Sequence, residues 1–191
     1  MPAPWVAWPA GVITRAAAAG DYVGSMREII HAFKYRGRRS LAAPLGTLMR
    51  VYGQSVLTGA THVVPVPLHP WRRMQRGFNQ ARDLARTLEL PVAPILWRRH
   101  RTIAQADLTA EQRWRNVDGA FGVSPLASPR ARAALRGAVV VLVDDVRTTG
   151  ATLHACAEAL ADVHVGEVRV LTAAVRAHDP RDYSRSGSTA A

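Results

Sequence analysis

Two adjacent carboxylates, followed closely by a hydroxyl- and glycine-rich turn, mark the stretch of this chain best suited to chemistry. Val139-Val140-Val141-Leu142-Val143 is an unbroken apolar run, and Asp144-Asp145-Val146-Arg147-Thr148-Thr149-Gly150-Ala151-Thr152 follows it directly. A mostly β-branched apolar run of this length reads as a strand buried on both faces of a parallel sheet. Ligands of such sheets sit just past the carboxyl ends of the strands. Asp144 and Asp145 fall there, as acceptors for a pair of vicinal hydroxyls. From Arg147 through Thr152 the chain then opens a helix, where backbone N–H groups and the hydroxyls of Thr148, Thr149 and Thr152 can wrap a phosphate. A diol beside a phosphate outlines a ribose 5-phosphate. Each half alone has a plainer reading, because many strands end in aspartate and many Thr/Gly turns merely cap a helix. The whole string is what carries specificity.

A second segment combines a strand, a basic loop and a helix start. Val63-Val64-Pro65-Val66-Pro67 is a short strand ended by its prolines. His69 to Arg76 follow, with Arg72, Arg73 and Arg76, and then Gly77-Phe78-Asn79. Arginine forks bond phosphate oxygens bidentately, so this loop is a candidate receiver for a second phosphate cluster, a pyrophosphate loop. Taken alone it reads equally as a solvated basic loop with an ordinary helix cap.

These segments need a frame to position them. Met26, Ile29, Ile30 and Phe33 mark a helix over 24–35, and Leu41, Leu45, Leu48, Met49 and Tyr52 a second apolar stripe. Helices are expected over 78–88, 128–136 and 151–162, and further strands over 92–97 and 167–175. Residues 98–117 carry Arg98, Arg99, Arg101, Arg113 and Arg115 with few apolar anchors, which suggests a mobile loop. Residues 177–191 are small and polar, a tail expected to be disordered. Strands alternating with helices predict a doubly wound α/β sheet.

Composition sets outer limits. The chain has 191 residues, 48% of them hydrophobic and 20% charged, enough for one domain with a proper core. Its one cysteine, Cys156, excludes an internal disulfide or a cysteine-based zinc ribbon within it and is expected to be a buried structural thiol. The seven histidines are scattered, so no dedicated metal site is expected. No apolar stretch approaches a membrane span, and the proline-broken N-terminus lacks a basic leader, so a cytoplasmic setting is expected. The net charge of +11 comes from arginine, with Lys34 the lone lysine. Such a surface permits nucleic-acid binding without diagnosing it.

The Asp-Asp-Val-Arg-Thr-Thr-Gly-Ala-Thr string resembles the 5-phosphoribosyl 1-pyrophosphate (PRPP) motif of type I phosphoribosyltransferases. Further segments lie in order with it: Lys34-Tyr35-Arg36-Gly37, Val64-Pro65-Val66-Pro67-Leu68, Arg76-Gly77-Phe78-Asn79-Gln80-Ala81, Gln105-Ala106-Asp107-Leu108, Arg113, and Asn116-Val117 ahead of Ala120-Phe121. Together they resemble the ComF family over roughly residues 20–176. The resemblance departs at the start: many such proteins carry a four-cysteine zinc module, and this sequence has none.

What the resemblance implies is a type I phosphoribosyltransferase fold, a parallel sheet flanked by helices with a small N-terminal hood. Residues 1–20 would form an extension supplying a hood strand, and residues 21–176 the domain proper, with a flexible loop over 98–116. The resemblance assigns Asp144 and Asp145 to the ribose hydroxyls and the segment from Val146 through Arg147, Thr148, Thr149, Gly150, Ala151 and Thr152 to the rest of the PRPP site. Arg101, Gln105, Arg113 and Asn116 become candidates for pyrophosphate contacts, Arg101 and Arg113 for catalysis beside the two acids. Lys34 joins Arg72, Arg73 and Arg76 as a further pyrophosphate candidate, and reads equally as a surface lysine at a helix end, where the macrodipole favours a cation. The implied reaction displaces pyrophosphate from PRPP by a nitrogen nucleophile, with magnesium as cofactor. Non-catalytic alternatives are a PRPP- and single-stranded-DNA-binding protein of DNA uptake, with Trp71 and Trp114 as stacking candidates, or a regulator that senses PRPP. The acceptor base and the oligomeric state, a homodimer included, stay open.

Overall fold

The computed structural model describes residues 12–68, 74, 77–99 and 110–176. Its strands are β1 (Ile13–Ala18), β2 (His62–Pro65), β3 (Leu96–Arg98), β4 (Phe121–Val123), β5 (Val139–Arg147) and β6 (Glu167–Val175). The helices are α1 (Gly24–Tyr35), α2 (Ala42–Tyr52), α3 (Gln54–Leu57), α4 (Gln80–Ala85), α5 (Ala110–Val117), α6 (Pro129–Leu135) and α7 (Ala151–Leu160). Among the described residues no helix is long and apolar enough to cross a membrane.

Four strands form one parallel sheet in the order β1-β6-β5-β2. The two longest apolar runs, β5 and β6, take its centre, where both faces must be covered. On one face Val141, Val143, Leu171 and Ala173 pack against Ile30 and Phe33 of α1, Leu45 and Met49 of α2, and Leu84 of α4. On the other, Val140, Leu142, Val168 and Val170 meet Val117 of α5, Leu135 of α6, and Leu153, Cys156 and Leu160 of α7. Helices on both faces of a parallel sheet are the expected doubly wound arrangement.

Several boundaries differ from the sequence reading. Residues 13–18, assigned there to a hood strand, form the edge of the main sheet beside β6, with Ile13 and Ala16 buried. Small alanines and two polar residues give this strand little pattern of its own, and the open edge of β6 supplies its partners. The strand expected over 92–97 is reduced to a single bridge from Val92 to Val63, then β3, which pairs antiparallel with β4. Pro91 and Pro94 lack the N–H groups a longer ladder needs. The helix expected over 78–88 is regular only over α4, where the Asn79 side chain caps the N–H of Arg82. The helix from Ala151 ends at Leu160 and continues as a 3₁₀ turn to Val163. Within the stretch read as a mobile loop, residues 110–117 are the helix α5. Trp114 and Val117, one turn apart, anchor it on the core beside α7. Two apolar contacts suffice where a neighbouring helix supplies the rest.

The early part of β6 also carries a buried guanidinium. Arg169 is 6% exposed. Its Nε and Nη2 donate to the two carboxylate oxygens of Glu167 at 2.9 Å each, and its Nη1 donates to the carbonyls of Val56 (3.1 Å) and Thr58 (2.6 Å). The Thr14 hydroxyl donates to the same carboxylate at 2.7 Å, tying β1 to β6. The Arg169 hydrogen bonds, then that of Thr14, hold the Glu167 carboxyl at about 2. A lowered acid stabilises the fold fully above the ordinary glutamate range and loses that contribution as pH falls through the native value. The stability advantage of the wild type over Glu167→Gln should therefore shrink between about pH 5 and about pH 2, as followed by thermal unfolding.

Candidate functional site

The acids stand where the sheet opens. β2 makes its last pair with β5 at Pro65 opposite Val143, and the N–H of Val66 donates to the Val143 carbonyl at 2.9 Å. Asp144 and Asp145 come next, beyond the end of that neighbour. On the other side β5 continues beside β6 as far as Arg147 opposite Val175. The sequence reading ended the strand at the acids; the structure carries it past them, because β6 is long enough to keep pairing.

Strand alternation places the two acids on opposite faces. Asp145 shares parity with Val141 and Val143 and turns toward α1; Asp144 shares it with Val140 and Leu142 and lies on the α7 side. The N–H of Asp145 donates to Asp144 Oδ1 at 2.8 Å, linking the pair through the backbone. On the α7 side the Cys156 thiol is pushed well up, by burial first and then by the charge of Asp144, so it is no nucleophile.

Lys34 reaches this site from the last turn of α1. Ile30 and Phe33 fix that helix in the core, and the Phe33 ring meets Phe78 at 5.6 Å between centroids. The Lys34 ammonium lies 2.8 Å from Asp145 Oδ1, with the two side chains only 17% and 11% exposed. Burial alone would lower its pKa. The charge and hydrogen bond of Asp145, with Asp144 and Tyr22, outweigh burial and raise it. Lys34, a pyrophosphate candidate from the sequence, is thus brought against Asp145, one of the two adjacent acids. Tyr22 enters the site unannounced, brought there by the pairing of residues 21–22 with Val175.

The turn after β5 is suited to an anion. Thr148 and Thr149 are partly buried and Gly150 is buried; its φ of 81° is a conformation that glycine adopts without strain. Gly150 is the N-cap of α7, and the Ala151 N–H donates to Thr149 Oγ1 at 3.4 Å. The positive end of the helix dipole favours an oxyanion at this turn. Val146 is partly buried and packs against the cluster of Ile30 and Phe33, although it shares parity with Asp144, so the alternation does not extend to it. Burial lowers the Arg147 pKa from a value high enough that the side chain stays cationic.

Asn79 braces the second segment by donating from Nδ2 to the Val66 carbonyl at 3.1 Å. Sequence reasoning missed the pair behind it. Arg39 binds Asp83 through two hydrogen bonds (2.8 and 3.0 Å) and covers the Phe78 ring at 5.2 Å. These residues, with Arg82, Trp97 and Arg98, line a cavity of about 530 Å³. Trp114 packs edge-on against His154 of α7 at 5.2 Å, which engages it in the fold. Arg72, Arg73, Arg76, Trp71, Arg101 and Gln105 lie outside the described residues, as do the side chains of Arg113 and Asn116 on α5. Among the described residues no three His, Cys, Asp or Glu side chains converge as a metal site.

Comparison with known proteins matches residues 74–186 to the phosphoribosyl transferase domain. Competence protein F of Haemophilus influenzae is 33% identical over 79% of this chain and 68% of its own length. DNA utilization protein YhgH of Escherichia coli K12 is 30% identical over 83% of this chain and 67% of its own length. Competence protein ComFC of Bacillus subtilis is 30% identical over 73% of this chain and 55% of its own. With its parallel sheet, its acids past the end of β2 and its glycine turn into α7, the chain belongs to the phosphoribosyl transferase domain family, alongside the ComF-type competence and DNA utilization proteins.

Proposed function

We propose that the chain binds PRPP at the end of β5 and transfers its phosphoribosyl group to a nitrogen acceptor. The observation that carries this reading is the direct succession of Asp144-Asp145, beyond the end of β2, and the Gly150 turn into α7. One side presents oxygens to a diol and the other presents N–H groups to a phosphate, within one short stretch of backbone. Thr148, Thr149, Gly150, Ala151 and Thr152 hold the 5-phosphate, while Asp144 and Asp145 accept hydrogen bonds from the ribose hydroxyls.

In the transfer the C1–O bond breaks and its electron pair leaves on pyrophosphate. A nitrogen lone pair forms the C1–N bond and the nitrogen then sheds a proton. Arg72, Arg73, Arg76, Arg101 and Arg113 are the cations assigned to the developing charge of the leaving group. The carboxylates of Asp144 and Asp145 are hard oxygen donors of the kind magnesium takes, and the ion would supply positive charge to neutralise the leaving group.

Pyrophosphate release from Mg-PRPP, screened across nitrogenous acceptors, tests the transfer. Release that depends on one acceptor class is expected. Tight PRPP binding with no release for any acceptor would contradict catalysis. It would favour a second reading, a PRPP-responsive protein that binds single-stranded DNA, which draws on the +11 charge and the names of the relatives. That reading requires DNA affinity that falls steeply with salt.

The turn itself gives a smaller prediction. Gly150→Ala must hold a side chain at a left-handed φ, at a cost of about 1 kcal/mol. Ribose 5-phosphate affinity should fall several-fold, as read by calorimetry, with the far-ultraviolet circular dichroism of the fold retained.

A further inference from the structure

Lys34 is the only lysine among 25 lysine and arginine side chains. Its ammonium lies 2.8 Å from Oδ1 of Asp145. Enclosing such a pair gives little stability, since desolvation of both ions offsets their attraction. The pair is also rigidly mounted, on a helix fixed by the fully buried Ile30 and Phe33 and on a central strand.

We infer that Lys34 is a positioning residue that holds the Asp145 carboxylate in one orientation, leaving its second oxygen as the acceptor for a sugar hydroxyl. This rests on the ribose-phosphate reading of the site and deepens it. A compact ammonium can hold one carboxylate oxygen and spare the other. A guanidinium fork tends to take both, in two parallel hydrogen bonds. An arginine here would keep the charge and cover the acceptor. In a chain that uses arginine at its other lysine-or-arginine positions, the ammonium stands where the fork is unsuitable.

Titration of ribose 5-phosphate, which has no pyrophosphate, tests the inference in wild type, Lys34→Met, Lys34→Arg, Asp145→Asn and Lys34→Met/Asp145→Asn. Ribose 5-phosphate affinity should fall about tenfold in both single Lys34 variants, a size typical of one lost charge-assisted hydrogen bond. Inorganic phosphate, held by the turn before α7, should bind all of them alike. In the Asp145→Asn background, Lys34→Met should cost less than about twofold more, the coupling expected of two residues acting as one unit. The conservative arginine keeps the assay informative if the methionine variant folds poorly.

Full binding by Lys34→Arg would overturn the inference, since charge alone would then suffice. Unchanged ribose 5-phosphate affinity with weakened PRPP affinity would overturn it in favour of direct pyrophosphate contact. Wild-type protein that binds ribose 5-phosphate while the Lys34 variants match it defeats this inference alone. Folded wild-type protein that binds neither ligand defeats the ribose-phosphate reading and the inference with it.

Discussion

Asp145→Asn should lower ribose 5-phosphate affinity by about 10- to 100-fold, the loss expected when a hydrogen bond to a charged acceptor worth about 1.5–3 kcal/mol is removed. An amide in place of the carboxylate loses the charge and one of two acceptor oxygens. It also withdraws the main attraction on Lys34, whose burial then acts unopposed by Asp145 and lowers its pKa. Asp144→Asn should weaken binding as well. The amide keeps an oxygen for the Asp145 N–H, which the carboxylate accepts at 2.8 Å, but loses the charge and the second acceptor. Neither change touches the Gly150 turn, and inorganic phosphate should bind each variant as it binds wild type. Calorimetry with both ligands checks this. Equal losses for ribose 5-phosphate and phosphate would mean that the acids support the turn and do not receive the sugar.

Arg169→Met should destabilise the protein by about 3 kcal/mol, the scale for stripping a buried charged partner from a network. The variant leaves the carbonyls of Val56 and Thr58 without their guanidinium donor and leaves Glu167 with Thr14 alone among these partners. The midpoint of thermal unfolding should fall by roughly 6–12 °C for a domain of this size. Arg169 lies opposite Val141, before the acids on the neighbouring strand, so ribose 5-phosphate affinity of the folded variant should be unchanged. Chemical denaturation and calorimetry on one preparation check both statements. A stability loss below about 1 kcal/mol would show that water replaces the guanidinium at these carbonyls.

The long apolar runs of β5 and β6 and the stripe of α1 were legible because each writes its own period into the sequence. The turn into α7 was legible because strand, acids, glycine and helix are consecutive, so local order fixes their geometry. β1 was assigned elsewhere because its alanines are silent and its place depends on a free edge supplied by β6, some 150 residues away. The separation of Asp144 and Asp145 onto opposite faces follows from strand alternation, once the strand is known to continue to Arg147. Pairing along β6 decides that, and it is a long-range fact. Lys34 was singled out as a rare ammonium near a helix end, yet its partner could not be read from spacing. Only the packing of α1 over β5 brings residue 34 to residue 145. The Arg39–Asp83 pair and Tyr22 have the same origin, contacts made by tertiary structure between segments without a local motif.

Calorimetric titration of Mg-PRPP into wild type and Asp144→Asn/Asp145→Asn tests the central claim most directly. Saturable binding by wild type that is lost in the folded double variant is the predicted result. Undiminished binding by the double variant, or none by folded wild type, would contradict a ribose-phosphate site at the end of β5.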